Sequence, residues 1–211
     1  FARCFRVLWR DKLGQISLAV TTLLWGVGAT LQFLVLDWAK HTLHMPLSRA
    51  AVLQGVVAIG LALGAVLAAR WIPLRRSLRV LPFGIAMGLV VPMMTLVTTI
   101  EYAYPLLIII GGMAGFFLVP MNALLQHRGH VLMSAGHSIA VQNFNENISV
   151  LLMLALYAGL VKMNLPVNTV VLLFGAFVAL SIMAVIRLHA RNQREFDSEA
   201  LIGEGSHSSH G

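Results

Sequence analysis

Residues 104–126 read YPLLIIIGGMAGFFLVPMNALLQ, an apolar run without a charged side chain. A helix needs roughly 20 apolar residues to cross the hydrocarbon core of a bilayer, and this run is long enough. Five further runs have comparable length and character, with ends defined to within about 2–4 residues. The six predicted spans cover 15–36, 48–70, 78–99, 104–126, 134–161 and 167–189. The sequence therefore predicts an all-α membrane protein of six transmembrane helices.

The composition of the whole chain supports this fold class. Of its 211 residues, 58% are hydrophobic and 11% are charged, whereas a soluble domain is about 25% charged. The runs are longer than strands and lack the alternation of a membrane barrel. Motifs such as GxSxG, HExxH and the P-loop are missing from the sequence. We therefore predict a protein without enzymatic activity, cofactor or metal site.

The positive charge of the chain is distributed unevenly. The net charge of +7 would also suit a nucleic-acid partner, but all except three of the 15 lysines and arginines fall into four clusters. These clusters are residues 1–14, the turn after the second span with Arg70, Arg75 and Arg76, the turn after the fourth span, and the segment after the sixth. By the positive-inside rule these clusters, and both termini, are expected in the cytoplasm. We interpret the charge as an orientation signal and expect no nucleic-acid partner.

Two flanking segments differ from the predicted bundle of residues 15–194. Residues 1–14 interleave arginines with Phe5, Leu8 and Trp9, which is typical of a basic amphipathic segment on the cytoplasmic surface. We expect further sequence to precede Phe1. Residues 195–211 end in GEGSHSSHG and contain too few apolar residues to fold, so they are expected to be a disordered cytoplasmic tail or an engineered remnant.

The fifth span contains the stretch VQNFNENISV, residues 141–150, with the one carboxylate well inside a predicted span, Glu146. Counted from Gly136, Glu146 lies about 15 Å along the helix, close to the middle of a core about 30 Å thick. At 100° per residue, the polar side chains cover an arc of about 200°. They are Gln142, Asn143, Asn145, Glu146, Asn147 and Ser149. So wide an arc does not fit one packing seam, and part of it should face water or a polar ligand.

Two interpretations of this arc remain open. The first is an amide network that holds helices together, in which each bond contributes under about 1 kcal/mol. The second is a binding site for a cation, a proton or a zwitterionic headgroup, formed by Glu146, Gln142, Asn143 and Asn145. We favour the second, because amides alone suffice for packing whereas a buried carboxylate adds a desolvation cost.

Other polar and small residues within the spans give weaker signals. Gln32 could line a cavity or pack between helices, and Asp37 is expected to be a solvated cap near a helix end. Gly111 and Gly115, four residues apart, favour the close approach of two helices. Pro120 should kink its helix and free a carbonyl near Asn122. The turn His127-Arg128-Gly129-His130 is expected to be solvated rather than to bind a metal or phosphate.

The arrangement of six helices after a basic segment resembles the second half of a major facilitator superfamily transporter, in which substrate lies between two six-helix halves. Residues 1–14 would then link the halves. The cytoplasmic signature of the superfamily has a partial copy in Gly64 to Arg70 followed by Arg75-Arg76, which suggests a packing or gating role for Arg70, Arg75 and Arg76. Ala69 stands at the position of the signature's aspartate, so an ion pair using that acid is not expected.

The runs GGMAGFFLVPMNALLQHRG and VLMSAGHSIAVQNFNEN are similar to the bacterial lysophospholipid transporter family. This resemblance implies a protein of the bacterial inner membrane. It would move lysophospholipids such as lysophosphatidylethanolamine from the outer to the inner leaflet, where an acyltransferase restores the second chain. It also implies that an N-terminal six-helix half completes the transporter. An exporter of drugs or metabolites and a non-transporting membrane scaffold subunit are the alternatives.

Overall fold

The computed structural model describes residues 2–195, and this part of the chain is helical and contains no strand. The predicted tail, 195–211, lies outside the described residues except for Glu195 at the end of the last helix. Six segments are long and apolar enough to cross a membrane, which confirms the predicted fold class. The α-helices are α1 (Ala2–Arg10), α2 (Lys12–His41), α3 (Leu47–Trp71), α4 (Leu81–Val90), α5 (Ile100–Leu132), α6 (Ala135–Lys162) and α7 (Val167–Glu195).

The third span, Leu74–Leu96, is divided into three pieces rather than forming the single helix predicted over 78–99. The 3-10 helices Leu74–Val80 and Val91–Leu96 flank α4. Pro82 occupies the first turn of α4, where its missing N–H costs little. Pro92 cannot donate to the preceding turn and marks the change of helix type. The indole of the fully buried Trp38 donates to the Met94 carbonyl at 2.9 Å and satisfies one acceptor there.

The fourth span is longer than predicted, and the expected solvated turn at His127–His130 is wrong. Helix α5 continues to Leu132, so these residues are helical. Arg128 is only 5% exposed. A buried guanidinium is tolerated when it is paired and hydrogen-bonded, and the partner that makes this possible lies far away in sequence and is described below.

Helices α3 and α5 meet through backbone rather than side chains. A Cβ atom on Gly64 would lie 1.9 Å from the Gly112 carbonyl oxygen, and one on Gly115 would lie 2.1 Å from the Leu61 oxygen. A Cβ atom on Gly111 would likewise lie 2.2 Å from the Val57 oxygen. Only glycine permits such an approach. Pro120 is buried farther along α5, and the helix continues through it.

Burial differs strongly among the helices. Helix α2 contacts α3, α5, α6 and α7 and forms the centre of the bundle. In its most apolar stretch 56% of the residues are buried, compared with 22% for α3 and 11% for α6. Helices α3 and α6 therefore each present a broad uncovered face. We refer below to the arginine-rich end, with α1, 74–80 and 128–134, and to the opposite end, with 42–46, 97–99 and 163–166.

Helix α1 lies at the arginine-rich end, against α2, α5 and α6. Its Leu8 is fully buried in a small apolar cluster with Leu18, Leu125 and Val141. Arg3, Arg6 and Arg10 are exposed on the same short helix. The amphipathic pattern of residues 1–14 thus corresponds to a helix with one apolar anchor and a basic outer surface.

Candidate functional site

The polar stretch of α6 directs a carboxylate and an amide toward α5. Glu146 and Gln142 are 8% and 9% exposed. The Gln142 Nε2 group donates to Glu146 Oε1 at 2.7 Å and to Asn122 Oδ1 of α5 at 3.1 Å. One amide nitrogen therefore uses both of its protons to join α5 to the carboxylate. The sequence predicted Glu146 and Gln142 as site residues, and the structure brings them together.

Helix α2 contributes the third side of this site. The indole of Trp25 lies close to the Glu146 carboxylate. Trp25 can reach it because the next residue is glycine: a Cβ atom on Gly26 would lie 2.4 Å from Ser149 Oγ. Residues from α2, α5 and α6 thus converge on one carboxylate, about halfway along α6. We call Glu146, Gln142, Asn122 and Trp25 the central site.

The polar arc divides between this buried site and an uncovered face. Asn143 and Asn147 are exposed, and the Asn147 side chain donates to the Asn143 carbonyl at 2.7 Å. Asn145 is half-buried and donates to the Val141 carbonyl at 2.8 Å. The side chains of Asn145 and Asn147 each donate one hydrogen bond to their own helix, which leaves their amide oxygens able to accept from another group. The structure therefore separates Asn143 and Asn145 from the Glu146–Gln142 pair.

The remaining predicted residues lie elsewhere. Gln32 is exposed, and its backbone carbonyl accepts from the side chain of Gln54 on α3 at 2.6 Å. Arg70, Arg75 and Arg76 are all exposed at the arginine-rich end. Gly111 and Gly115 belong to the α3–α5 contact. None of these six residues lies at the central site.

An ion pair at the arginine-rich end was not predicted from the sequence. Asp11 caps α2 by accepting from the Gly14 N–H at 2.7 Å. The same carboxylate accepts from Arg128 Nε at 3.0 Å and from Arg128 Nη2 at 2.6 Å. The side chains are 6% and 9% exposed for Arg128 and Asp11. This two-point contact ties the start of α2 to the end of α5 and explains the burial of Arg128.

A second acid, Asp37, lies at the opposite end. The expectation that it is a solvated cap is wrong, because α2 continues to His41 and Asp37 is half-buried. Its carboxylate accepts a hydrogen bond from the phenol of Tyr157 on α6. His41 Nδ1 donates to the Asp37 backbone carbonyl at 2.9 Å. Asp37 therefore joins α2 to α6 through a neutral partner.

Sequence reasoning missed Asn122 and Trp25 as members of the central site. Asn122 was noticed only for its position after Pro120, although an amide in the middle of a charge-free span was a usable signal. The contribution of Trp25 has no comparable signal, because it depends on the close approach of α2 and α6 at Gly26.

The chain is similar to curated proteins named lysophospholipid transporter LplT. It is 45% identical over 168 residues to that of Pectobacterium carotovorum subsp. carotovorum (strain PC1), which covers 79% of this chain and 41% of the relative. It is 46% identical over 168 residues to that of Yersinia enterocolitica, again covering 79% and 41%. For Yersinia pestis (strain Pestoides F) the identity is 45% over 171 residues, covering 81% and 42%. The resemblance predicted from the sequence is confirmed.

The chain spans about two fifths of the length of the curated relatives it matches. Those relatives are named as transporters. No protein-family model matches the chain, and no solved structure matches it.

Proposed function

From this sequence relationship to the lysophospholipid transporters, we propose that the chain is the C-terminal six-helix half of a major facilitator transporter for lysophospholipids. It moves single-chain lipids such as lysophosphatidylethanolamine from the outer to the inner leaflet of the bacterial inner membrane by alternating access. There they become substrates for an acyltransferase. The identity to the LplT proteins over 79% of the chain carries this proposal.

The orientation of the bundle follows from its charges. The arginine-rich end faces the cytoplasm, because positive loops are retained on that side. The opposite end, with Asp37 and Tyr157, then faces the outer leaflet. Helix α1 is the end of the linker between the two halves, and its exposed arginines lie at the headgroup layer of the inner leaflet.

The uncovered polar face of α6 supports a second half that packs beside it. Asn143 and Asn147 are exposed, and amide groups left in hydrocarbon cost several kcal/mol each. We therefore place this face toward the N-terminal half and the substrate cavity between the halves, rather than toward lipid. A scaffold that does not transport would have this arc fully paired with neighbouring helices, and the exposed asparagines argue against that alternative.

Glu146 receives the cationic part of the substrate or the coupling ion. Its carboxylate accepts a hydrogen bond from a neutral donor, Gln142, and lies close to the neutral Trp25 indole. Neutral donors orient a carboxylate but leave its charge uncompensated, and an uncompensated charge in a membrane interior favours a cation. The ammonium of lysophosphatidylethanolamine supplies one. Gln142, Asn143 and Asn145 are the hydrogen-bonding groups for glycerol and phosphate, together with a basic residue from the N-terminal half.

The test is leaflet-resolved uptake of labelled lysophosphatidylethanolamine by the complete transporter in vesicles. Glu146→Gln keeps the shape and removes the charge, and we expect uptake to fall at least about tenfold, as for loss of a charged hydrogen bond. Glu101→Gln makes the same chemical change at an exposed position of α5 and should leave uptake unchanged.

Unchanged uptake in Glu146→Gln at equal protein levels would remove the charged role from this residue. Absence of lysophospholipid uptake by the unaltered transporter, together with export of an amphiphilic drug, would favour the exporter instead. Dependence of the unaltered rate on sodium or on pH identifies the coupling ion.

A further inference from the structure

A second polar cavity lies at the opposite end, away from the central site. It has a volume of about 460 Å³ and lies between α2, α6 and α7. Its polar lining includes Asp37, His41, Tyr157, Asn164 and Asn168. Tyr157 is eleven residues beyond Glu146 on α6, which corresponds to about 16 Å. The cavity is therefore separate from the central site.

An apolar slot adjoins this cavity. Its volume is about 200 Å³, and it shares Tyr157 and Val170 with the polar cavity. Apart from Thr30 and the phenol of Tyr157, its walls are apolar, among them Leu160, Phe174 and Phe177. Thr30 and Asp37 are seven residues apart on α2, so the slot extends about 10 Å toward the middle of the bundle. A polar cavity and an apolar cavity that share lining residues suit an amphiphile with one chain.

Asp37 carries the charge of this region. Its side chain pairs with the neutral phenol of Tyr157. Among the residues that the structure describes, no lysine or arginine forms an ion pair with Asp37. The Asp37 carboxylate therefore lies at the cavity with a neutral hydrogen-bond partner.

A lysine lines a further cavity together with the same acid. A third cavity, of about 450 Å³, is lined by Phe33, Asp37, Tyr157 and Lys162. Tyr157 lines all three cavities, and Asp37 lines the first and the third. An acid, a hydroxyl and a lysine thus line cavities that share Tyr157 with the apolar slot, and these are groups that can bind the ammonium and phosphate of a zwitterionic headgroup.

We propose that Asp37, Tyr157 and Lys162 form a second binding site for a single-chain lipid with an ammonium headgroup. Asp37 binds the ammonium, Lys162 pairs with the phosphate, and the slot beside Phe174 and Phe177 holds the acyl chain. The choice of a lysophospholipid as ligand rests on the proposed function. The site holds the lipid at the outer-leaflet end before, and apart from, its contact with Glu146.

The test uses the complete transporter and lysophospholipids that carry a photoreactive group on the acyl chain. Labelled residues are located by mass spectrometry. We expect lysophosphatidylethanolamine to label α6 and α7 beside the slot, at 153–160 and 170–177. Asp37→Asn should lower this labelling about tenfold, the effect of losing one charged hydrogen bond. Lysophosphatidylglycerol has a phosphate but no ammonium, so the same substitution should lower its labelling by less than about twofold.

Three matched variants locate the cause of any loss. Glu101→Gln, an acid at the same end, should have no effect on labelling by either lipid. Tyr157→Phe keeps the carboxylate and should lower labelling by about twofold at most, since it removes one neutral hydrogen bond. Phe174→Trp fills the slot and should lower labelling by both lipids equally.

Two results would overturn the site. One is an equal loss of labelling by both lipids in Asp37→Asn. The other is labelling of the slot that none of the variants changes. Transport measured on the same samples separates this inference from the proposed function. Ammonium-dependent labelling in a protein that transports no lysophospholipid would support the site and reject the function. Transport without labelling of the slot would reject the site alone.

Discussion

The two ends of α2 each carry an aspartate, and the structure gives these two acids different partners. Asp11 precedes the first turn and is held by the guanidinium of Arg128 in a two-point contact. Asp37 lies in the last turns, where a neutral phenol donates to it and two cavities adjoin it. The first acid is neutralised and enclosed, so its role is structural. The second has a neutral partner and lies beside open volume, so it can bind a cation.

Glu146 shares one property with each of these two aspartates. It is buried like Asp11, but its partners are neutral like that of Asp37. In this molecule burial alone does not distinguish a structural acid from one that is able to bind a ligand. The charge of the partner makes that distinction, and substitutions at the two aspartates and their partners test it through stability.

The largest expected effect is at the Asp11–Arg128 pair. Asp11→Asn or Arg128→Gln removes one charge of a buried ion pair, and each should lower the free energy of unfolding by about 3 kcal/mol. The measurement is denaturant titration of the complete transporter in mixed micelles. The double variant should lose less than the two single losses together. Arg75→Gln, at an exposed arginine of the same end, is the control.

A single-variant loss below about 1 kcal/mol at Asp11 or Arg128 would remove the contrast between the two ends. The pair would then be equivalent to a surface salt bridge despite its enclosure.

A smaller loss of unfolding free energy is expected at the contact between α3 and α5, the helix that carries Arg128. In Gly64→Ala the new Cβ would lie 1.9 Å from the Gly112 oxygen, so the helices must move apart. We expect a loss of about 2 kcal/mol, typical of overpacking. Gly55→Ala is the matched control in the same helix, since nothing lies within 4 Å of its Cβ. Equal stability of the two variants, by the same titration, would contradict the close contact.

The smallest effect is expected at Asp37. Tyr157→Phe and Asp37→Asn each alter one hydrogen bond at a half-buried site, so each should cost about 1 kcal/mol or less. The informative quantity is the ratio between this loss and that of Asp11→Asn in parallel titrations. A loss at Asp37 as large as that at Asp11 would mean that both acids are structural.

Much of the fold could be predicted from composition and length, because each span has to be apolar on its own. The ends of the spans could not. Arg128 was placed in a turn since a lone charge usually ends a span, and its burial depends on Asp11, which is 117 residues away. The end of the apolar run at Leu36 predicts a cap at Asp37, whereas the helix continues one more turn.

The candidate site was predictable in its residues but not in its geometry. The 100° spacing grouped Gln142 with Glu146, since both belong to one helix. It could not show that Asn122 and Trp25 meet them, because those contacts depend on how α2 and α5 pack against α6. It also could not show which part of the arc is uncovered, because that depends on neighbouring helices.

The long separation between Asp11 and Arg128 also sets an order of events during synthesis. Ribosomes add about 5–20 residues per second, so the 117 residues between the two side chains take about 6–23 s to be made. During that interval α2, α3 and the α4 span are already available for insertion, while Arg128 has not yet been made. Because Asp11 lies before the first turn of α2, its carboxylate stays in water at the membrane surface. The nascent chain therefore does not have to bring an unpaired charge into lipid before Arg128 is made.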